Sequence, residues 1–407
     1  MSDREKPPLN IVCLATYFKG VDFIRECKSQ GNQVVLITKE KMLGEDWPRE
    51  SLDELIALPN DADLDMFIHL LSLLGRQTKL DRVVALEEFD VITAAQLREH
   101  FCLPGMPTAT ARLFRDKGVM AAKAQAAGLT VPQFVPLLNY DELRFFMERV
   151  PPPWIVKPRS DVSAIGIKKV NDANEVWQVL DTLDSRERLR ERAAHHLLAQ
   201  FVSGNVFHVD SIVSNGRVVF TGANQYGRPP MDVAHKGGAY LSHTVARGSD
   251  DERTLVEANR KLVKALGLKD GAAHAEFIKS DDDGKFYFLE IAARVGGAYI
   301  AEVLEAASGA NLWREWAKLE LSEKPVRRIT PTRKDYAGIV LSLARQEFPD
   351  TTAYDDAEVV YRVKKKHHAG LIVRSPKLER VQELLTSYSS RFAEDFAAVL
   401  PPLERAE

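Results

Sequence analysis

A chain of 407 residues exceeds what one ordinary core organises, so two or three domains are expected. Its 45% hydrophobic and 28% charged residues are those of a globular, water-soluble protein. A net charge of −3 offers no basic field for nucleic acid or for an anionic membrane.

Near the N-terminus the sequence is polar, without an apolar signal region. No apolar run approaches the ~20 residues of a membrane span, so a cytoplasmic protein is expected. Short apolar runs at 11–15 and 34–37 flank a helix-like stretch at 21–30, and a run at 83–86 precedes a helical 91–100. This alternation predicts a parallel α/β sheet. The turn after the first run, Thr16-Tyr-Phe-Lys-Gly20, has one glycine where a dinucleotide fingerprint needs three, which disfavours a Rossmann dehydrogenase. Glu87 and Glu88 follow the run at 83–86, at the end of a parallel strand where ligands gather. They can meet a substrate ammonium or simply charge a helix start. Cys13, Cys27 and Cys102 lack metal-like spacing and fit reduced thiols.

Residues 109–148 read as helical, interrupted by Gly128-Leu-Thr-Val-Pro132, and Pro151-Pro-Pro153 stiffens the approach to a strand at 154–158. Strands then dominate, at 197–202, 206–213, 218–223, 239–245, 272–278 and 285–291, with helices at 174–189 and 252–266. Asn215-Gly216 suits a two-residue hairpin turn. A polar connection at 325–334 precedes a small α+β tail that ends in a helix. The expected divisions are 1–107, 108–324 (with a flexible subdomain at about 150–203) and 325–407.

Lys157 ends the strand at 154–158 and leads into Arg159-Ser160-Asp-Val-Ser163-Ala-Ile-Gly166. A lysine followed by a loop of small polar residues can close over a polyphosphate; taken alone, a solvated hairpin would account for it. Lys117, at a helix start, is a second phosphate candidate and alone a surface charge. Gln200, Phe201 and Val202 can offer an amide and backbone groups to an adenine edge, against the alternative of a plain core strand. Glu276 and Glu290 are stronger signals, because each is embedded in an apolar strand. A carboxylate so placed is costly to bury unless paired or metal-bound. A salt bridge, even to Arg294, competes with a divalent ion shared with phosphates, and the metal reading is preferred. His274, next but one to Glu276, shares its face in a strand. The glycine-rich, basic stretch at 226–240, with Arg228, His235 and Lys236, is a candidate loop for an anionic substrate or an ordinary solvated loop.

In this order the pieces resemble the ATP-grasp superfamily of carboxylate–amine ligases, over about residues 9–321. His274-Ala-Glu276 and Glu290-Ile-Ala-Ala-Arg294-Val-Gly-Gly297 are most similar to the L-amino-acid ligase and carnosine synthase branch. The resemblance implies a mixed α/β and α+β architecture. It would have an N-terminal parallel α/β (pre-ATP-grasp) domain, an ATP-grasp domain of two α+β subdomains and a small C-terminal α+β element. It further implies that Lys117 and Lys157 hold ATP phosphates, with Ser160 or Ser163 in the loop above, and that Gln200, Phe201 and Val202 take the adenine. Glu276 and Glu290 would bind Mg²⁺ (or Mn²⁺), and Arg294 would stabilise the acyl phosphate and tetrahedral intermediate. Gly296 and Gly297 would offer N–H groups to a substrate carboxylate, with His274, Arg228, His235 and Lys236 nearby.

Two positions depart from the family's pattern. Ala292 stands where many members carry a metal-binding asparagine, and Asn205 or Val206 stands where a ribose-binding acid is usual. The implied activity is amide or peptide bond formation between small carboxylate and amine substrates, releasing ADP and phosphate. A homodimer is compatible with it; nucleic acid and membrane partners are not expected. A bicarbonate- or formate-activating enzyme and a non-catalytic nucleotide-binding protein stay open.

Overall fold

The apolar runs near the N-terminus pair in parallel. β1 (Asn10–Leu14), β2 (Gln33–Lys39), β3 (Glu54–Leu58) and β4 (Arg82–Ala85) form one sheet in the order β3-β2-β1-β4. Ile11 and Cys13 pack with Phe23 and Ile24 of α1 (Val21–Ser29). Val12 and Leu14 pack with Phe67 of α2 (Leu64–Gln77) and Leu97 of α3 (Val91–His100). Alternate residues of β1 thus feed two cores, which is why the run is apolar throughout. The sequence pattern does not single out β3, an edge strand with no fully buried residue.

The computed structural model describes residues 7–161, 166–188, 191–231, 233 and 237–398. The helical pattern at 109–148 resolves into α4 (Thr108–Leu113), α5 (Lys117–Ala126), the three-residue strand β5 (Phe134–Pro136) and α6 (Tyr140–Arg149). β5 exists by pairing with a strand far along the chain, so its own sequence carries little signal. It belongs to a second, antiparallel sheet with β6 (Trp154–Pro158), β7 (Lys168–Val170) and β8 (His196–Gln200), in the order β5-β8-β6-β7. With α6 and α7 (Ala173–Asp184) this sheet has its own core, which takes Trp154 and Val156. Ile155 and Lys157 therefore face the other way.

The third sheet has eight strands, all antiparallel. β9 (Gly204–Ser214), β10 (Arg217–Tyr226), β11 (Tyr240–Thr244), β12 (Gly271–Ser280) and β13 (Phe286–Ala292) are extended by β14 (Tyr336–Leu343), β15 (Val359–Arg362) and β16 (His368–Ser375). The order is β13-β12-β9-β10-β11-β14-β16-β15. The strands after residue 325 thus continue the same sheet, since β14 pairs with β11. One face packs on α5 and on α8 (Asp250–Leu266), through Ala273, Ala275 and Phe277 among others. The other face carries α9 (Ile300–Ser308), whose Val303 and Ala307 pack on Ala337 and Ile339. α10 (Leu312–Leu321) joins the core of α1, and α11 (Leu378–Asp395) covers β14 and β16. Among the described residues no helix is long and apolar enough to cross a membrane.

The register of β12 and β13 slips once. Glu276 lies opposite Glu290 while Phe277 lies opposite Phe288, so Leu289 is an extra residue on β13. Such a bulge re-aims side chains; here Leu289 and Glu290, although consecutive, both line the same cavity.

Gly204, where β9 begins, has φ +151°, and a Cβ there would lie 1.9 Å from the carbonyl oxygen of Lys279. Gly216 also has positive φ (+73°), with nothing within 4 Å. We expect Gly204→Ala to cost about 2–4 kcal/mol of stability and Gly216→Ala only about 1 kcal/mol. Thermal or urea unfolding of the two variants measures this, and equal costs would refute the close approach.

Candidate active site

A cavity of about 760 Å³ lies between the second and third sheets. Ile155, Lys157 and residues 199–203 form one wall, and Val206, Glu276, Ile278, Leu289 and Glu290 the other. Lys19 and Glu88, from loops at the carboxyl ends of β1 and β4, close it together with Arg294.

The first turn of α5 organises the cationic side. Asp116 is its N-cap, accepting from the N–H groups of Gly118 (3.0 Å) and Val119 (3.3 Å), and so satisfies donors a helix start leaves open. The same carboxylate takes Arg159 on both oxygens, at 3.1 and 2.8 Å. Lys117 donates its backbone N–H to the Arg159 carbonyl (2.8 Å). Its ammonium is shared between the Asp161 carbonyl (2.6 Å) and Glu290 (2.8 Å). Lys157 comes to the cavity from β6. Burial, with the charge of Lys117 added, pushes its ammonium down to about 8. Two lysines held this close suit a polyanion.

The acidic side is Glu276 opposite Glu290. Glu276 accepts from the Tyr226 hydroxyl (2.7 Å) and from His274 Nε2 (3.3 Å), both on Oε1. Burial alone would raise its carboxyl; the bonds from His274 and Tyr226 outweigh that and hold it below the usual range. Burial would likewise lower His274, but Asp210 outweighs it and raises the imidazole to about 10. Part of the salt-bridge alternative is therefore real, with Lys117 rather than Arg294 as the partner of Glu290.

Arg294 pairs instead with Glu88, its Nη2 and Nε lying 2.7 and 3.1 Å from Oε2. Arg115 takes the other oxygen of Glu88 at 2.5 Å. Burial opposes ionisation of Glu88, yet Arg294, Arg115 and Lys117 outweigh it and hold the carboxyl down at about 2. Glu87 is paired with Lys19 at 2.6 Å. Both acids are thus engaged by protein cations.

Of the remaining expected residues, Gln200, Phe201, Val202, His274 and Gly297 line the cavity. The Gln200 Oε1 accepts from the Gln133 N–H (3.3 Å), so its acceptor is not turned to an adenine amine. Ser160 is exposed and approaches the site through its carbonyl, bonded to Arg115 (2.6 Å). Gly296 is buried against Asp210 and His274, where a Cβ would come within 2.9 Å of both. Arg228 is exposed and is not among the residues lining the cavity. Ser163, His235 and Lys236 lie outside the described residues. Ala292 faces the cavity opposite His274, and Val206, not Asn205, lines it. The sequence does not single out Lys19 or Asp210, and marks Tyr226 and Tyr240 only as the ends of a candidate loop. Asp210 is nonetheless, like Glu276, an acid in an apolar strand.

Two antiparallel sheets thus close on lysines and paired acids beside the carboxyl ends of a parallel sheet. Residues 150–302 match the ATP-grasp domain family. The chain is similar to the L-arginine-specific L-amino acid ligase of Bacillus subtilis, 21% identical over 281 residues that span 69% of this chain and 67% of that protein. It is also similar to carnosine synthase 1 of Gallus gallus, 24% identical over 273 residues, 63% of this chain and 29% of that longer protein. The crystal structure of an L-amino acid ligase from Bacillus licheniformis shares the fold. Its TM-score is 0.75 at 19% identity, with 97% of this chain and 99% of that chain covered.

The Glu88 cluster yields a pH prediction. A carboxyl held at about 2 when folded stabilises the protein above its unfolded value near 4.3, and this is lost as pH falls towards 2. Glu88→Gln should cost about 3 kcal/mol at pH 7, with the gap to wild type narrowing from pH 4.5 down to 2.5. Urea unfolding across that range tests it; a gap independent of pH would refute it.

Proposed function

We propose that this protein is an ATP-dependent carboxylate–amine ligase that joins two amino-acid-like substrates through an acyl phosphate. One observation supports this above the others. A single cavity gathers Lys117 and Lys157, the opposed carboxylates Glu276 and Glu290, and Arg294. The names of its relatives, an L-amino acid ligase and a carnosine synthase, favour amino acids as substrates.

The hard oxygen donors of Glu276 and Glu290 fit Mg²⁺ (or Mn²⁺), which when bound would offset polyphosphate charge and polarise the terminal phosphoryl group. Lys117 and Lys157 hold the phosphates as point charges, and Gln200, Phe201 and Val202 flank the adenine with Leu289 and Ile278 on the facing wall. A carboxylate oxygen of the first substrate attacks the γ-phosphorus, the bond to the bridging oxygen breaks and ADP leaves. The neutral amine of the second substrate attacks the acyl carbon, the carbon–oxygen bond to phosphate breaks, and the nitrogen gives up a proton. Arg294, fixed by Glu88, stabilises the oxygen charge that develops in both steps, and Gly297 borders the same space. The enzyme supplies position and charge, with no covalent nucleophile.

Phosphate release should require ATP, a divalent metal, an amino acid and an amine together. Release with bicarbonate or formate instead would move the reading to that class of ATP-grasp enzyme, and nucleotide binding without turnover would refute both. Glu290→Gln should lower turnover at least about 10³-fold while circular dichroism stays native. Lys157 gives an independent test. Its ammonium, lowered to about 8, regains its proton beside a polyphosphate, so ATP binding at pH 8 should take up about half a proton on this residue. Affinity should fall as pH rises above 8. Calorimetry in buffers of different ionisation enthalpy reads the uptake, which should vanish in Lys157→Met.

A further inference from the structure

Behind Glu276 lies a chain of buried hydrogen bonds that the reaction itself does not use. In the register of β9 and β12, Asp210 lies opposite His274 and His208 opposite Glu276. Asp210 is fully buried. Its Oδ1 is 2.8 Å from His274 Nδ1 and its Oδ2 is 2.6 Å from His208 Nδ1. His208 continues through Nε2 to the Ser242 hydroxyl at 2.8 Å, while His274 continues through Nε2 to Glu276 Oε1. Both ring nitrogens of His274 face carboxylate oxygens, so geometry alone requires both to donate.

The outcome at Glu276 is asymmetric. His274 and the Tyr226 hydroxyl converge on Oε1, so Oε2 is the oxygen that this network leaves to the cavity. A glutamate's terminal torsion is soft, and an unbonded carboxylate would present its oxygens interchangeably. Here a rotation would break two bonds. The donors sit on β12 and β10, the two strands that flank β9 in one sheet, which positions them more firmly than loops would. Gly296 completes the arrangement. A Cβ there would come 2.8 Å from Asp210 Oδ1 and 2.9 Å from His274 Nδ1, so the turn after Arg294 seats directly on this hydrogen bond.

We propose that Asp210, acting through His274 and together with Tyr226, is a positioning residue that fixes Glu276 to offer a single oxygen to the metal. This rests on the reading of Glu276 as a metal ligand. His208, Asp210 and His274 also bring possible ligand atoms within 4.8 Å of one another. Those atoms are engaged with each other at hydrogen-bond distances, and we take the cluster as a support for Glu276 rather than as a metal site.

The test is Mn²⁺ binding to the ADP complex, followed by electron paramagnetic resonance without turnover, beside phosphate-release kinetics. Asp210→Asn and Tyr226→Phe should each weaken Mn²⁺ binding at least about 10-fold and lower kcat. KM for the amino acid and metal-free ADP affinity should stay within about 3-fold. Tyr226→Phe removes one hydroxyl and carries the test should Asp210→Asn fail to fold. Unchanged Mn²⁺ affinity in a folded variant would overturn the proposal. So would loss of one whole Mn²⁺ from the stoichiometry in Asp210→Asn, since that marks a ligand. A protein that binds Mn²⁺–ADP with these dependences but ligates nothing would sink the ligase reading and leave this one standing.

Discussion

The register that sets Glu276 against Glu290 is the constraint on which the site depends. Two carboxylates on paired strands repel, and the fold resolves this by giving each a different partner from a different direction. Glu290 receives Lys117 from the first turn of α5, and Glu276 receives His274 and Tyr226 from within its own sheet. The bulge at Leu289 makes this possible, because it turns Glu290 and an apolar neighbour to the cavity together. A strictly alternating β13 would send one of them into the core with Phe277 and Phe288.

The same logic extends to the N-terminal sheet. Loops at the carboxyl ends of β1 and β4 bring Lys19, Glu87 and Glu88 to the site, as expected for ligand-binding ends of parallel strands. Their role in the structure is to hold cations in place. Glu88 spreads its charge over Arg115 and Arg294, and Arg115 in turn bonds the Ser160 carbonyl. Arg294 is thus oriented by a residue 206 positions away in sequence. A guanidinium fixed in this way would need little reorganisation for the charge stabilisation proposed for it.

Sequence patterns were informative where burial and charge conflict locally. An acid in an apolar strand is costly, so Glu276 and Glu290 could be read from their neighbours alone, and alternation placed His274 with them. The parallel N-terminal sheet was legible because both faces of β1 are covered and the run is apolar throughout. Asp210 is an acid in an apolar strand by the same rule, but its partner His274 lies 64 residues further on. Other features had no local signal. β5 is a strand only because β8 pairs with it. The pairs Arg294–Glu88 and Tyr226–Glu276 join separate elements, and nothing in either segment announces the other. Lys19 sits in a turn whose single glycine carries no dinucleotide fingerprint.

The charges of the cavity are balanced unevenly. Glu87 and Glu88 pair with Lys19, Arg115 and Arg294, and Asp210 hydrogen-bonds two histidines, so these groups already hold one another in place. Lys117 and Lys157 are different. Lys117 spends its charge on a loop carbonyl and on a carboxylate that is itself a candidate metal ligand. Lys157 is buried beside Lys117 and responds by a lowered affinity for its proton. An entering metal–polyphosphate would repair both faults at once, because its phosphates supply the anion these lysines lack and its cation replaces Lys117 at Glu290. Nucleotide and metal are therefore expected to reinforce each other's binding, through an exchange of partners that leaves the Glu88 and Asp210 networks untouched.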